Sequence, residues 1–286
     1  MIADRANIVI ETVYADYVRY QGCYVLAAGF LYCIQLYTDF LACFSLAQGI
    51  AGLFNIQLAD NFRRPFFSTS IKEFWGRWHI SLSSWLRDYI YIPLGGNRKG
   101  LLRKYVNLMI TFSISGIWHG SGYKYLTWGL VNAGYQVIGS LTEKPRDKIY
   151  CLLGMPAGRR SRIYLKRCGT FVFTMLAFII FRADTLTQGL YMLRSLFTVH
   201  NPWILLDGSL LNLGADWTEL MLLLASVLVL IFISTQQEKG IVICDIILRQ
   251  PAIIRWGLYI SAIVVILVFG TYGYGFDAAD FIYGGF

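Results

Sequence analysis

The run Phe74-Trp75-Gly76-Arg77-Trp78-His79-Ile80-Ser81-Leu82-Ser83-Ser84-Trp85-Leu86-Arg87-Asp88 decides how this chain is read. It continues through Tyr91-Ile92-Pro93-Leu94-Gly95-Gly96-Asn97-Arg98 and is followed by a second short run, Gly116-Ile117-Trp118-His119-Gly120. Of the three histidines in the chain, two stand here, each directly after a tryptophan. Imidazole is the side chain that both takes and gives a proton near neutral pH. A lone histidine in apolar surroundings is usually a packing residue; two in matching Trp-His pairs read as a reaction centre. Ser70, with Glu73 three residues on, fits a capping box that opens a helix at 71. Trp75, Trp78, Leu82 and Trp85 then keep helical spacing. Lys72, Glu73, Arg77, His79, Arg87 and Asp88 make the segment too polar to face lipid. The expectation is one helix over about 71–90, entering a membrane obliquely and lining a cavity, ended by Pro93 and Gly95-Gly96.

Composition supports the membrane. Hydrophobic residues make up 56% of the 286 positions and charged residues 15%, too little polar side chain to cover a water-facing surface. The net charge of +8 is unevenly placed. Residues 60–104 and 142–168 are strongly basic, whereas 182–220 and 271–286 are acidic. Basic and acidic segments alternating across apolar runs read as positive-inside topology, not as the continuous basic face that nucleic acid requires. The six cysteines are scattered without a C-x-x-C pair, so neither a zinc site nor a disulfide framework is spelled out. Membrane lipids are the expected surroundings, with no nucleic-acid partner and no metal.

Outward from the central run, residues 1–19 read as an amphipathic helix lying on a surface or on other helices. Residues 22–54 are long enough for a span with room for a break, and Asp39 near their middle is placed either in a cavity or in a structural hydrogen bond. A helix over 105–118 rises about 21 Å, short of the ~30 Å hydrocarbon core. With 123–141 it makes a short or re-entrant hairpin whose tip carries His119. The segment 142–168 reads as a basic loop, 169–181 as a span, and 185–197 as a short amphipathic helix. His200, beside Asn201-Pro202, belongs to an exposed turn. Spans at about 218–234 and 253–270 precede a tail, 271–286, on the side opposite the basic loops. The expected fold is all-α: a single domain over 1–286, multi-pass in the cell membrane, with short re-entrant and oblique helices around a central cavity.

The W-H-I-S-L-S-x-W-L-R-D-Y-x-Y-I-P-L-G-G-N run followed by W-H-G resembles the signature of the membrane-bound O-acyltransferase family, in its alginate O-acetylation branch. Related members place D-alanine on teichoic acids. The similarity is dense from Ile2 to about Gly129 and looser through Phe181-Arg182-Ala183 to Phe281-Ile282-Tyr283. Members of that branch are usually much longer, and Ile2-Ala3-Asp4-Arg5 is similar to an internal part of their chain, so several N-terminal helices are expected to be missing here.

The resemblance implies an acyltransferase. An acyl group, acetyl by this likeness, moves from a cytoplasmic thioester, either acetyl-CoA or an acyl carrier, toward hydroxyls of an extracellular polysaccharide or cell-wall polymer. No resident cofactor is implied, and an extracellular acetyltransferase is a possible partner. His119 takes the part of the base and His79 that of a second histidine orienting a substrate or stabilising the oxyanion. Arg77, Arg87 and Asp88 either bind donor phosphates or pair with one another. Tyr283, in the closing aromatic cluster, is either an acyl relay or an anchor. A polysaccharide or lipid transporter, and an inactive truncated subunit, are the competing readings; no inverted repeat favours the former.

Overall fold

The computed structural model describes residues 2–270, and among them there are helices and turns but no strands. Tyr283 and the rest of the closing cluster lie outside the described residues. Four helices are long and apolar enough to cross a membrane: α2 (Cys23–Leu53), α8 (Arg160–Arg182), α10 (Trp217–Glu238) and α12 (Ala252–Phe269). The chain is an all-α membrane protein, as its composition requires.

The first helix, α1 (Ile2–Ala15), does not lie on a surface. It buries the stripe Ala6, Val9, Ile10 and Val13 against α2 and α10. Gln35 on α2 reaches across to donate to Asn7 Oδ1 at 3.0 Å. The span α2 runs 31 residues and makes no use of the room for a break, because it contains no proline and its glycines are isolated. Its first turn is capped from α9 (Leu186–Thr198) and the turn beyond it. Cys23 N donates to Asn201 Oδ1 at 2.8 Å and Gly22 N to Ser195 Oγ at 3.2 Å.

Three expected boundaries move. The helix expected over 71–90 is instead α3 (Ile71–Arg77), a break at Trp78-His79, α4 (Ile80–Leu86) and a wide turn over 87–91. The hairpin's first arm, α5 (Leu101–Trp118), begins four residues before 105, so Arg103 and Lys104 are helical and the arm rises about 27 Å. The basic loop at 142–168 is two helices meeting at a turn. There α7 (Glu143–Leu152) packs back on the start of α8, which begins at Arg160 rather than 169, and buried Arg162 pairs with Asp147. Arg and Lys are good helix formers, so charge alone does not mark a loop.

The second arm of the hairpin, α6 (Tyr123–Leu141), is clasped to α5 more closely than side chains usually permit. A Cβ at Gly116 would collide with the Tyr125 carbonyl, and one at Gly129 with that of Phe112. These two glycines let the backbones meet where His119 sits. After α9, the helices α10, α11 (Ile243–Leu248) and α12 complete the described chain. None of the four candidate spans lies between residues 54 and 159, and α8 stands between that basic region and the loop 183–216; if α8 crosses the membrane, Lys148 and Asp207 lie on opposite sides.

Two outcomes are expected. Single cysteines placed at Lys148 and Asp207 in a cysteine-free chain should be labelled by an impermeant thiol reagent from opposite sides of a sealed vesicle; labelling from the same side would overturn this arrangement. Gly129→Val should destabilise by about 3 kcal/mol or more, the upper end for overpacking, and depress the melting temperature in detergent. Gly134→Ala, where nothing stands within 4 Å, should not.

Candidate active site

The site begins with the break between α3 and α4. Ser70 caps α3 as expected, its Oγ accepting from Glu73 N at 3.1 Å. The Glu73 carboxylate, however, reaches one residue further back than in a capping box and accepts from Thr69 N and Oγ, both at 2.8 Å. The helix ends at Arg77, Trp78 is extended, and His79 takes a left-handed conformation at φ 43°, ψ 56° before α4 starts. A left-handed residue other than glycine costs about 1–2 kcal/mol. What holds it is tertiary. Trp78 is buried with its ring 5.5 Å from Phe74, 5.0 Å from Phe62 and 5.5 Å from Phe178. The turn before α3 pairs with both sides of the break: Arg63 N donates to Arg77 O at 2.9 Å and Ile80 N to Asn61 O at 3.0 Å. At about 1 kcal/mol per hydrogen bond, plus the burial of an indole, these contacts outweigh the strain.

His79 and His119, forty residues apart in sequence, line one small cavity. Leu36 of α2, Trp75 and Trp78, Leu82 of α4, Trp128 of α6, and Phe178 and Phe181 of α8 complete its wall. It has room for about one water molecule. His119 is 6% exposed and sits just past the end of α5, its ring edge-on to Trp128 at 5.2 Å and to Phe181 at 5.0 Å. Gly120 follows at φ +152°, with the Tyr125 ring where a Cβ would be, so the Trp-His-Gly turn tolerates no other residue at its third position. The Trp118 ring links the two histidines, 6.3 Å from His79 and 4.9 Å from His119. On its other side His79 meets Phe40 at 5.4 Å, and its Nδ1 is buried without a hydrogen-bond partner among the described residues. Of the four tryptophans in the two motifs, Trp75 and Trp78 build the wall, while Trp85 and Trp118 are more than half exposed.

The charged candidates lie elsewhere. Arg77 does not pair with Arg87 or Asp88; it binds Glu73 at 2.7 Å and Glu238 of α10 at 3.0 Å. Arg64 at 2.9 Å and Arg167 at 3.5 Å share the Glu238 carboxylate. Arg87 and Asp88 do pair, at 2.7 Å, on an exposed surface, where the hydrogen bond from Arg87 draws the Asp88 carboxyl below its ordinary range. Asp39 is half-buried on α2 and is not part of the cavity wall. His200 is exposed, apart from the other two. Burial pushes the Glu73 carboxyl up, but the hydrogen bonds from Thr69 and the charge of Arg77 outweigh it and hold it below the usual range.

Sequence reading missed several residues that shape the site. Asn132, buried in the middle of α6, accepts from the Trp75 indole at 3.2 Å and orients a wall residue; an amide in a largely apolar helix was the available signal. Phe178 and Glu238 come from distant helices, and nothing in their local sequence announces them; Phe181 stood in the looser part of the family resemblance without a place in the site.

Residues 7–151, just over half of the chain, match the model of the membrane-bound O-acyltransferase family. The chain belongs to that family. Both cavity histidines fall inside the matched segment, which stops before α8. Among similar proteins, a probable alginate O-acetylase AlgI of Pseudomonas fluorescens is 38% identical over 64% of this chain and 34% of its own. A peptidoglycan O-acetyltransferase of Helicobacter pylori is 39% identical over 58% of this chain and 30% of its own. A teichoic acid D-alanyltransferase of Bacillus subtilis is 32% identical over 52% and 39%. The chain thus spans about a third of the length of these relatives.

Glu73 gives a pH prediction. Because its folded-state pKa is depressed, its stabilisation is present above the unfolded value of about 4.3 and is lost as pH falls through the folded value. Glu73→Gln should therefore melt at a lower temperature than the parent at neutral pH. The gap should close under acid conditions; a gap independent of pH would contradict the assignment.

Proposed function

We propose that this chain carries the acyl-transfer centre of a membrane-bound O-acyltransferase of the cell membrane. It moves an acetyl group from a cytoplasmic thioester, acetyl-CoA or an acyl carrier, toward hydroxyls of an extracellular polysaccharide or cell-wall polymer. The observation that carries this reading is the pair of imidazoles on one aromatic-walled cavity. The names of the relatives, which place acyl groups on alginate, peptidoglycan and teichoic acid, support the class of acceptor.

A hydroxyl is a weak nucleophile until a base takes its proton during attack, a contribution of about 10²–10⁴ in rate. In this mechanism the acceptor oxygen attacks the thioester carbonyl carbon while the His119 imidazole takes the hydroxyl proton. His79 donates a hydrogen bond to the oxyanion that forms. Collapse breaks the carbon–sulfur bond, and the imidazolium returns its proton to the leaving thiolate. The aromatic wall keeps out the water that would otherwise hydrolyse the thioester. The chain works as one multi-pass domain, with the basic 54–159 region on the cytoplasmic side, where the donor arrives. Asp39, Arg77, Arg87 and Asp88 leave the chemical step to the histidines, and the exposed Arg87 faces donor charge only at the surface. In the relay, the Tyr283 phenol is the acceptor of this step: its oxygen takes the acyl group as its proton passes to His119, and the resulting aryl ester, whose phenoxide with a pKa near 10 leaves more readily than an alkoxide, hands the acyl group to polymer hydroxyls through an extracellular acetyltransferase.

Transfer of labelled acetyl to cell-surface polymer, in cells whose own copy is replaced by each variant, tests this. His119→Ala and His79→Ala should each lower transfer by about 100-fold or more, with the protein still in the membrane, whereas His200→Ala should retain it. Full activity in His119→Ala would end the acyltransfer reading and leave a transporter or a scaffold. Tyr283→Phe keeps the ring and removes the hydroxyl: transfer should stop if Tyr283 is the relay, and survival would make it an anchor.

A further inference from the structure

We infer that Asn61, a residue outside the cavity wall, is the positioning residue that fixes His79. The inference rests on the reading of His79 as part of the acyl-transfer centre and goes beyond it by naming what sets the imidazole in place. A helix start leaves backbone N–H groups without partners, and His79, the residue at the start of α4, makes no side-chain cap. Asn61 does that work from another segment. Its carbonyl oxygen accepts from Ile80 N at 3.0 Å, and its side-chain Oδ1 accepts from Ser81 N at 3.0 Å and from Ser81 Oγ at 2.7 Å. Asn61 is 6% exposed, so water does not substitute for it.

The alternative conformation explains why such a clamp is needed. The spacing of Trp75, Trp78, Leu82 and Trp85 suits an unbroken helix, and His79 is strained in the broken one. Without the Asn61 acceptor, Ser81 N–H and its hydroxyl lose their partner and the first turn of α4 is released. The backbone then relaxes toward a continuous α3–α4 helix, which moves the imidazole relative to His119. Asn61 itself is not part of the cavity wall.

The test uses the full chain, purified without a histidine tag and carrying His119→Ala and His200→Ala, so that His79 is the single histidine left. Diethyl pyrocarbonate is the probe, and the rate of His79 carbethoxylation is read by mass spectrometry. Adding Asn61→Ala should change that rate by about tenfold or more, since it removes two hydrogen bonds of about 1 kcal/mol each. Asn61→Asp keeps the acceptor oxygen and should stay close to the parent. If Asn61→Ala does not survive extraction as a monodisperse species, Ser81→Ala, which removes only the hydroxyl contact, takes its place with a smaller change in the same direction. An unchanged rate overturns the inference. In the chain with all three histidines, Asn61→Ala should lower kcat with KM unchanged and Asn61→Asp should restore it. The two ideas fail separately. Intact transfer in His79→Ala sinks the acyl-transfer reading whatever the labelling shows. Equal modification rates sink the positioning role whatever the kinetics show.

Discussion

The architecture depends on one strained residue, His79, held in a left-handed conformation where a continuous helix would be the cheaper local choice. A buried helix break is tolerated only where other protein groups take up the freed backbone donors and acceptors. Here the turn at 61–63 does so, bonding to Arg77 on one side of the break and Ile80 on the other. The strain is thereby localised at the residue with acid–base chemistry, a common arrangement at functional sites. Buried Trp78 pins the other side of the kink into the aromatic core, so His79 is fixed between two anchored neighbours.

The second histidine is placed by a different device. Its hairpin is drawn tight by Gly116 and Gly129, which let two backbones touch, and the turn at Gly120 delivers His119 into the space that Trp128, Phe178 and Phe181 enclose. Two independent pieces of local geometry thus converge on one cavity. The cavity has room for about one water molecule, and its aromatic wall leaves the imidazoles little other solvent. The ion-pair hub at Glu238 ties α10 to the same region through Arg64, Arg77 and Arg167, so helices beyond the family-matched segment also support the break.

Much of this was legible in the sequence, for identifiable reasons. Composition and long apolar runs gave the membrane class, since the spans α2, α8, α10 and α12 signal themselves by length and hydropathy alone. The two Trp-His pairs pointed to the site because histidine is rare in this chain. The helix break was hidden because Trp75, Trp78, Leu82 and Trp85 keep a helical period straight through it; only the tertiary pairing with Asn61 and Arg63 interrupts the helix. The basic segment at 142–168 looked like a loop because charge was taken as the signal, yet Arg and Lys support helices well. Arg77 drew attention by its charge and its closeness to His79; its pairing with Glu73 follows helical spacing, but its second partner, Glu238, is 161 residues away, a separation that no local pattern encodes.

The most direct test of the central claim is an experimental density map of the full chain in lipid nanodiscs, read at residues 71–86 and 118–120. The account predicts two short helices separated by an extended Trp78 and a left-handed His79, with both imidazoles bordering one space walled by Trp128 and Phe181. A single unbroken helix through His79, or imidazoles that open onto different spaces, would contradict it.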